Sequence, residues 1–331
     1  MDPKQLHGKL KGIMHLVMTP FDANDEIDEK NLRLALRDAM KKAQGKDFCF
    51  LAGGSTAEFY AMSDEEMRRY IEIVVDEVGG AFPVIMGASR PGTKATIELA
   101  RYAQKAGADG VMIVPPYYVP CTDENIYNHF AEIAKSIEIG IVVYNNPATS
   151  KHWVPPVTIG RLSKIPNIIG TKENIASPMS FYRVQKAVDP NDMVVFTGLG
   201  YEQYQYLALS PLGCPAYVSE LVNMMPKTAF GLYEAGKSRD WEKMGRLVGG
   251  LEPYRIFCDG LAAKRKMPLT VGPLVAGPLM TIYQAVIKEC ITLLGIPCGK
   301  VRGPVDNMTA EEIEELKNVL SEMMAFENSL A

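Results

Sequence analysis

The chain has 331 residues, of which 47% are hydrophobic and 22% charged, with a net charge of −4. That length holds a large core and suits one barrel-type domain with an extension. Both charge signs are scattered without a basic block, which argues against a nucleic-acid partner, and no apolar run approaches a membrane span, which argues against a membrane partner.

The opening MDPKQLHGKLKG carries no apolar segment of the signal-peptide kind, so a cytoplasmic location is expected. Short apolar runs bounded by glycine or proline then recur at about the length of one βα unit. They fall at 15–18, 47–52, 83–87, 110–114, 140–144, 167–170, 193–196 and 214–218. Such runs read as strands buried on both faces, as in a parallel sheet. The last is the weakest, because Pro215 does not suit the middle of a strand.

Amphipathic helical patterns fill the gaps at 28–42, 63–78, 93–106, 122–136 and 179–188, and Ser63 with Glu66 has capping-box spacing. Eight alternating units predict an α/β fold, a (β/α)8 TIM barrel. Residues 1–225 would hold the barrel strands and helices. Residues 226–331 look helical throughout, which is more than one barrel helix needs, and read as the last barrel helix plus a helical C-terminal extension. The six cysteines form no CxxC pair and no zinc-spaced cluster, so they read as reduced thiols.

In this architecture the active site lies at the C-terminal ends of the strands. The polar residues there are Gly54, Ser55 and Thr56 after strand two, Tyr118 after strand four and Tyr144 on strand five. Lys172 follows on strand six, then Gly198 and Glu202 after strand seven and Ser219 after strand eight. Lys172 stands out, because a lysine directly after the apolar stretch IIGT is costly unless it is used. Desolvation lowers an amine's pKa and frees its lone pair to attack a carbonyl. Tyr144, one strand earlier, suits a general acid/base, with Thr56 and Tyr118 as a proton relay. The GGST turn offers backbone N–H groups beside hydroxyls, a place for a carboxylate. Taken alone, each has a plainer reading: a solvated lysine, packed loop tyrosines, an ordinary turn. Their joint placement favours the chemical one.

Several segments in order resemble the dihydrodipicolinate synthase / N-acetylneuraminate lyase family of class I, Schiff-base aldolases. They are TPFD at 19–22, GSTAEF at 54–59, AGADGV at 106–111 with PPYY at 115–118, YNNP at 144–147 and GTKE at 170–173. The resemblance implies that Lys172 is the Schiff-base lysine and Tyr144 the general acid/base. It implies that Ser55 and Thr56 hold the carboxylate of a 2-oxo acid such as pyruvate, and that Tyr118 reaches a neighbouring subunit's site. It also implies a homo-oligomer, tetramer or dimer, with no cofactor and no metal.

The departures bear on substrate. Ala57 replaces the loop's usual glycine. Dihydrodipicolinate synthases carry an arginine five residues past the tyrosine, where this chain has Thr149, and a hydroxyl cannot make an arginine's two-pronged grip on a carboxylate. Gly200-Tyr201-Glu202 is similar to a GYD stretch of the neuraminate lyases, in which the acid holds sugar hydroxyls. The expected function is therefore an aldolase releasing or using pyruvate, acting on a sugar-derived 2-oxo acid. A 3-deoxy-2-oxo sugar acid dehydratase and a 4-hydroxy-tetrahydrodipicolinate synthase are the enzymatic alternatives. A 2-oxo acid binding or regulatory protein is the non-enzymatic one.

Overall fold

The computed structural model describes residues 1–266 and 282–330. In chain order the elements are α1 (Pro3–His7), β1 (Gly12–Leu16), α2 (Glu29–Lys42), β2 (Phe48–Ala52), α3 (Asp64–Val78), β3 (Val84–Gly87), α4 (Thr93–Ala106), β4 (Gly110–Ile113) and α5 (Asp123–Ser136). Then come β5 (Gly140–Asn145), α6 (Pro147–Ser150), α7 (Pro156–Leu162), β6 (Ile168–Glu173), α8 (Pro178–Ala187), β7 (Val194–Thr197), α9 (Gly200–Leu207) and β8 (Ala216–Ser219). The C-terminal helices are α10 (Pro226–Ser238), α11 (Trp241–Gly249), α12 (Glu252–Lys264), α13 (Tyr283–Leu293) and α14 (Ala310–Ser329). The strands close in sequence order into one parallel barrel, the (β/α)8 TIM barrel expected from the alternation.

Two apolar layers follow from the strand period of two. Met14, Cys49, Leu51, Ile85, Met112, Val142, Tyr144, Phe196 and Val218 point into the barrel, and Leu6 and Leu10 pack with them from the N-terminal segment. The alternate residues, among them Ile13, Phe50, Val143, Val195 and Tyr217, pack outward against the helices. Local chemistry sets most helix starts. Ser63 and Thr122 close capping boxes on α3 and α5, and Asp28 caps α2.

Three expectations need correction. β1 begins at Gly12 rather than His15 and ends before Val17. Gly12 has φ +81°, and a Cβ there would stand 2.0 Å from the Asp47 carbonyl oxygen, so only glycine lets β1 start against β2. β8 begins after Pro215, whose carbonyl accepts from the Gly12 N–H, so the proline stays outside the ladder. The C-terminal segment is not helical throughout. Between α13 and α14 the chain runs without a helix, where Gly295, Pro297, Gly299, Gly303 and Pro304 interrupt it. The part of that expectation on 267–281 lies outside the described residues. Among the described residues no helix is long and apolar enough to cross a membrane.

Candidate active site

β6 carries the central residue. Its ladder to β5 pairs Tyr144 with Lys172, and its ladder to β7 pairs Lys172 with Phe196. All three therefore share the inward face. Lys172 is 4% exposed, and its Nζ lies 4.0 Å from the centroid of the Tyr144 ring. Burial alone pulls the amine down to about 7. Half of it is thus an uncharged nucleophile at neutral pH.

Glu173, one residue on, faces the other way. Its carboxyl accepts from Thr171 Oγ1 at 2.6 Å and from Asn145 Nδ2 at 2.9 Å. Burial pushes it up to about 8, so at neutral pH it is mostly a neutral acid and gives the ammonium of Lys172 little support. Asn145 also exchanges two hydrogen bonds with the Val154 backbone, both at 3.0 Å, which pins the 146–154 loop over β5.

The Tyr144 hydroxyl accepts from Asn146 Nδ2 at 3.1 Å, and the same amide reaches Thr149 Oγ1 at 2.9 Å. An accepted bond leaves the phenol's own proton free to be delivered. Burial raises the phenol's pKa, and the side chains of Ser55, Asn146 and Asn174 offset part of that rise. Asn146 and Asn174 carried no role in the sequence reading. The signal that finds them is positional, since each stands two residues beyond a reactive side chain, on the same side of the strand end.

Ser55 and Thr56 open a single 3₁₀ turn after β2, and Thr56 is buried. Among the described residues their backbone N–H groups donate to nothing, so they are open to an anion. Gly54 admits no side chain without moving Met112, whose Cε would lie 2.9 Å from a Cβ. Gly198 is tighter still: an added Cβ would stand 2.8 Å from Lys172 Cε and 1.8 Å from Asn174 Oδ1. Gly198→Ala is expected to cut the rate of adduct formation on Lys172 by about tenfold or more, because overpacking costs about 1–3 kcal/mol at the reacting group. Stopped-time trapping beside a far-UV spectrum checks this; an unchanged rate in a folded variant counts against it.

The remaining expected residues separate. Ser219 shares the outward face of β8 with Tyr217, so its hydroxyl does not enter the barrel; it accepts from the Leu221 N–H at 3.0 Å and caps the turn after the strand. That corrects its expected place among substrate contacts. Tyr118 is 77% exposed and makes no hydrogen bond among the described residues, while Tyr117 packs edge-on against Phe59. It is not brought to Lys172 within one chain. Glu202 sits in the first turn of α9, where partial burial and then Asp259 of α12 raise its carboxyl. Glu220 is raised by burial, with Glu202 adding to it. Among the described residues no group of three His, Cys, Asp or Glu side chains could hold a metal ion.

The C-terminal helices reach this site. On α13, Gln284 Nε2 donates to the Ser55 carbonyl at 3.4 Å and to Tyr60 at 3.2 Å, and Lys288 pairs with Glu58 at 2.5 Å. Tyr283 places its hydroxyl 3.4 Å from Thr56 Oγ1.

A buried lysine beside a buried tyrosine, under an anion-ready turn, can form an imine with a 2-oxo acid. The profile of the dihydrodipicolinate synthetase family matches residues 9–249. The chain belongs to that family. It is a class I Schiff-base enzyme of the dihydrodipicolinate synthetase family, and the binding-protein alternative gives way to that. One relative is a probable 5-dehydro-4-deoxyglucarate dehydratase from Variovorax paradoxus, 29% identical over 322 residues, covering 97% of this chain and 98% of the relative. Another is a 4-hydroxy-tetrahydrodipicolinate synthase from Syntrophus aciditrophicus, 31% identical over 311 residues, covering 94% and 97%. Among solved structures, a prophage protein of this family from E. coli, in complex with pyruvate, superposes with a TM-score of 0.79 at 26% identity, covering 95% of this chain and 98% of that one.

Proposed function

We propose that this enzyme is a pyruvate-type Schiff-base lyase whose substrate is a sugar-derived 2-oxo acid. The observation that carries the reading is Lys172, buried, held near neutral pKa by burial and set against the Tyr144 ring. The free amine adds to the C2 carbonyl, and the carbinolamine loses water to give the imine. The protonated imine then accepts the electron pair of the bond broken beside it. Tyr144 gives and takes the proton at these steps, kept in its donor state by Asn146. The open Ser55 and Thr56 amides and hydroxyls hold the substrate carboxylate, and Gly54 and Gly198 leave room for it. The structure of the E. coli family member with pyruvate supports that headgroup.

Beyond the headgroup, the residues named among the described ones are neutral or acidic, with Arg255 of α12 acting on Glu202 from outside. Thr149 stands where an arginine would clamp a second carboxylate, and Glu202 and Glu220 lie near the mouth. That favours a hydroxyl-rich tail over the carboxylate tail of a dihydrodipicolinate precursor. Carbon–carbon cleavage releasing pyruvate is the first reading. Dehydration of a 3-deoxy-2-oxo sugar acid is the second, favoured by the Variovorax relative. The exposed Tyr118 and Val119 support a homo-oligomer contact, and we place the enzyme in the cytoplasm.

The test is borohydride trapping with pyruvate and with a 3-deoxy-2-oxo sugar acid, read by intact mass and peptide mapping. A reduced adduct on Lys172 is expected. An adduct mapped elsewhere, or none with either compound, overturns the reading. Pyruvate among the products marks an aldolase, and an intact carbon chain marks a dehydratase.

A further inference from the structure

The turn after β2 is aimed partly by contacts from outside it. In a planar peptide the C=O and the N–H point opposite ways, so whatever holds one aims the other. The free Ser55 N–H shares its peptide with the Gly54 carbonyl, which accepts from the Ala57 and Phe59 N–H groups at 3.0 and 3.4 Å. That peptide is held within the turn. The free Thr56 N–H shares its peptide with the Ser55 carbonyl. This one accepts from the Glu58 N–H at 3.0 Å and, from 229 positions away, from Gln284 Nε2 at 3.4 Å. A donor on the carbonyl also polarises the peptide, which makes its N–H a stronger donor on the other side.

Gln284 and Lys288 stand four apart, on one face of α13. That face meets the turn twice, with Gln284 at Ser55 and Lys288 at Glu58. Gln284 is 4% exposed, and its Nε2 also donates to the Tyr60 hydroxyl at 3.2 Å. The Ser55 carbonyl can only accept, so the amide nitrogen and not the oxygen must face it. Gln284 Oε1 is then left buried, with no hydrogen-bond partner among the described residues. A buried acceptor without a donor lowers stability, and an apolar side chain of similar size would avoid that. Packing alone therefore does not account for a glutamine here. Thr19 Oγ1 separately ties the Ala57 carbonyl at 2.7 Å, so the turn keeps other anchors when Gln284 is changed.

We propose that Gln284 is a positioning residue for the substrate carboxylate, holding and polarising the Ser55–Thr56 peptide so that the Thr56 N–H meets that carboxylate. This rests on the Schiff-base reading above and deepens it. Gln284 acts through the peptide and does not touch substrate. The carboxylate contact is made on binding and kept through the imine, so losing its alignment weakens affinity and leaves the limiting rate alone.

The experiment uses the full-length Gln284→Met variant, which keeps the bulk and removes the donor. Borohydride trapping on Lys172 is read against concentration for pyruvate and for acetone, a ketone with no carboxylate. Half-maximal trapping with pyruvate is expected at about tenfold higher concentration than in wild type, the scale of one hydrogen bond to a charged group. The limiting trapping rate with pyruvate and the trapping of acetone should stay within twofold. The melting temperature should hold or rise, because the unpaired oxygen is gone. If Gln284→Met does not fold, the nearly isosteric Gln284→Glu is read in the same way. A pyruvate half-saturation within twofold of wild type overturns the proposal. So does a loss of acetone trapping in step with pyruvate, which a merely structural role would give. Absence of trapping in the wild-type enzyme is a different result, and it removes the Schiff-base reading itself.

Discussion

Lys172→Met will abolish the trapped adduct and lower turnover by at least about three orders of magnitude, the scale on which loss of a covalent nucleophile acts. The same variant is expected to be at least as thermally stable as the parent. Burial lowers the Lys172 amine from its ordinary 10.5 to about 7. The unfolded chain keeps the proton up to that higher value, so folding must strip it between those two pH values. Wild-type stability therefore falls as pH drops from about 10.5 to about 7, then stops falling through this group. Methionine fills similar space without that cost, and its stability gain over wild type should be largest at or below pH 7 and vanish near pH 10. In the wild-type enzyme adduct formation should rise about tenfold per pH unit below pH 7 and level off above it, following the free-amine fraction. Melting curves and trapping rates across pH check both. A trapping rate flat from pH 5 to 8 would rule out the low amine pKa.

Lys288→Met will carry the largest stability loss. Lys288 and Glu58 are 1% and 0% exposed, 2.5 Å apart, and the Glu58 carboxyl also accepts from the Arg302 N–H at 2.8 Å. The Phe21 ring lies under both cations, 4.3 Å from Lys288 Nζ and 4.0 Å from the Arg302 guanidinium. Burial lowers the Lys288 pKa, and Glu58 counters that. Removing the cation strands a buried carboxylate, which costs about 3–5 kcal/mol. Adding Glu58→Gln removes the stranded charge, so the double variant should recover a large part of the loss. Thermal denaturation of the three proteins tests this. A single variant as stable as wild type would show that the pair carries no such weight. Because Glu58 ends the turn that holds Ser55 and Thr56, the single variant should also trap pyruvate more slowly than the double one.

The sequence by itself determined what depends on near neighbours along the chain. The apolar runs mark the strands, since a strand buried on both faces needs an unbroken apolar stretch. Asp28, Ser63 and Thr122 mark helix starts, since a cap acts within four residues. Lys172 and Tyr144 were legible because a polar residue at the end of such a run is costly unless used, and two of them on consecutive strands must meet. Tertiary structure decided the rest. It turned Ser219 outward, because inward and outward alternate with period two and β8 starts one residue past Pro215. It left Tyr118 on the surface and brought Tyr283 to Thr56. It also set the state of Lys172, for an amine's pKa depends on how much water the surrounding strands exclude. No spacing along the chain encodes a contact between residues 227 positions apart. That contact exists only once the closed barrel and α13 are packed together.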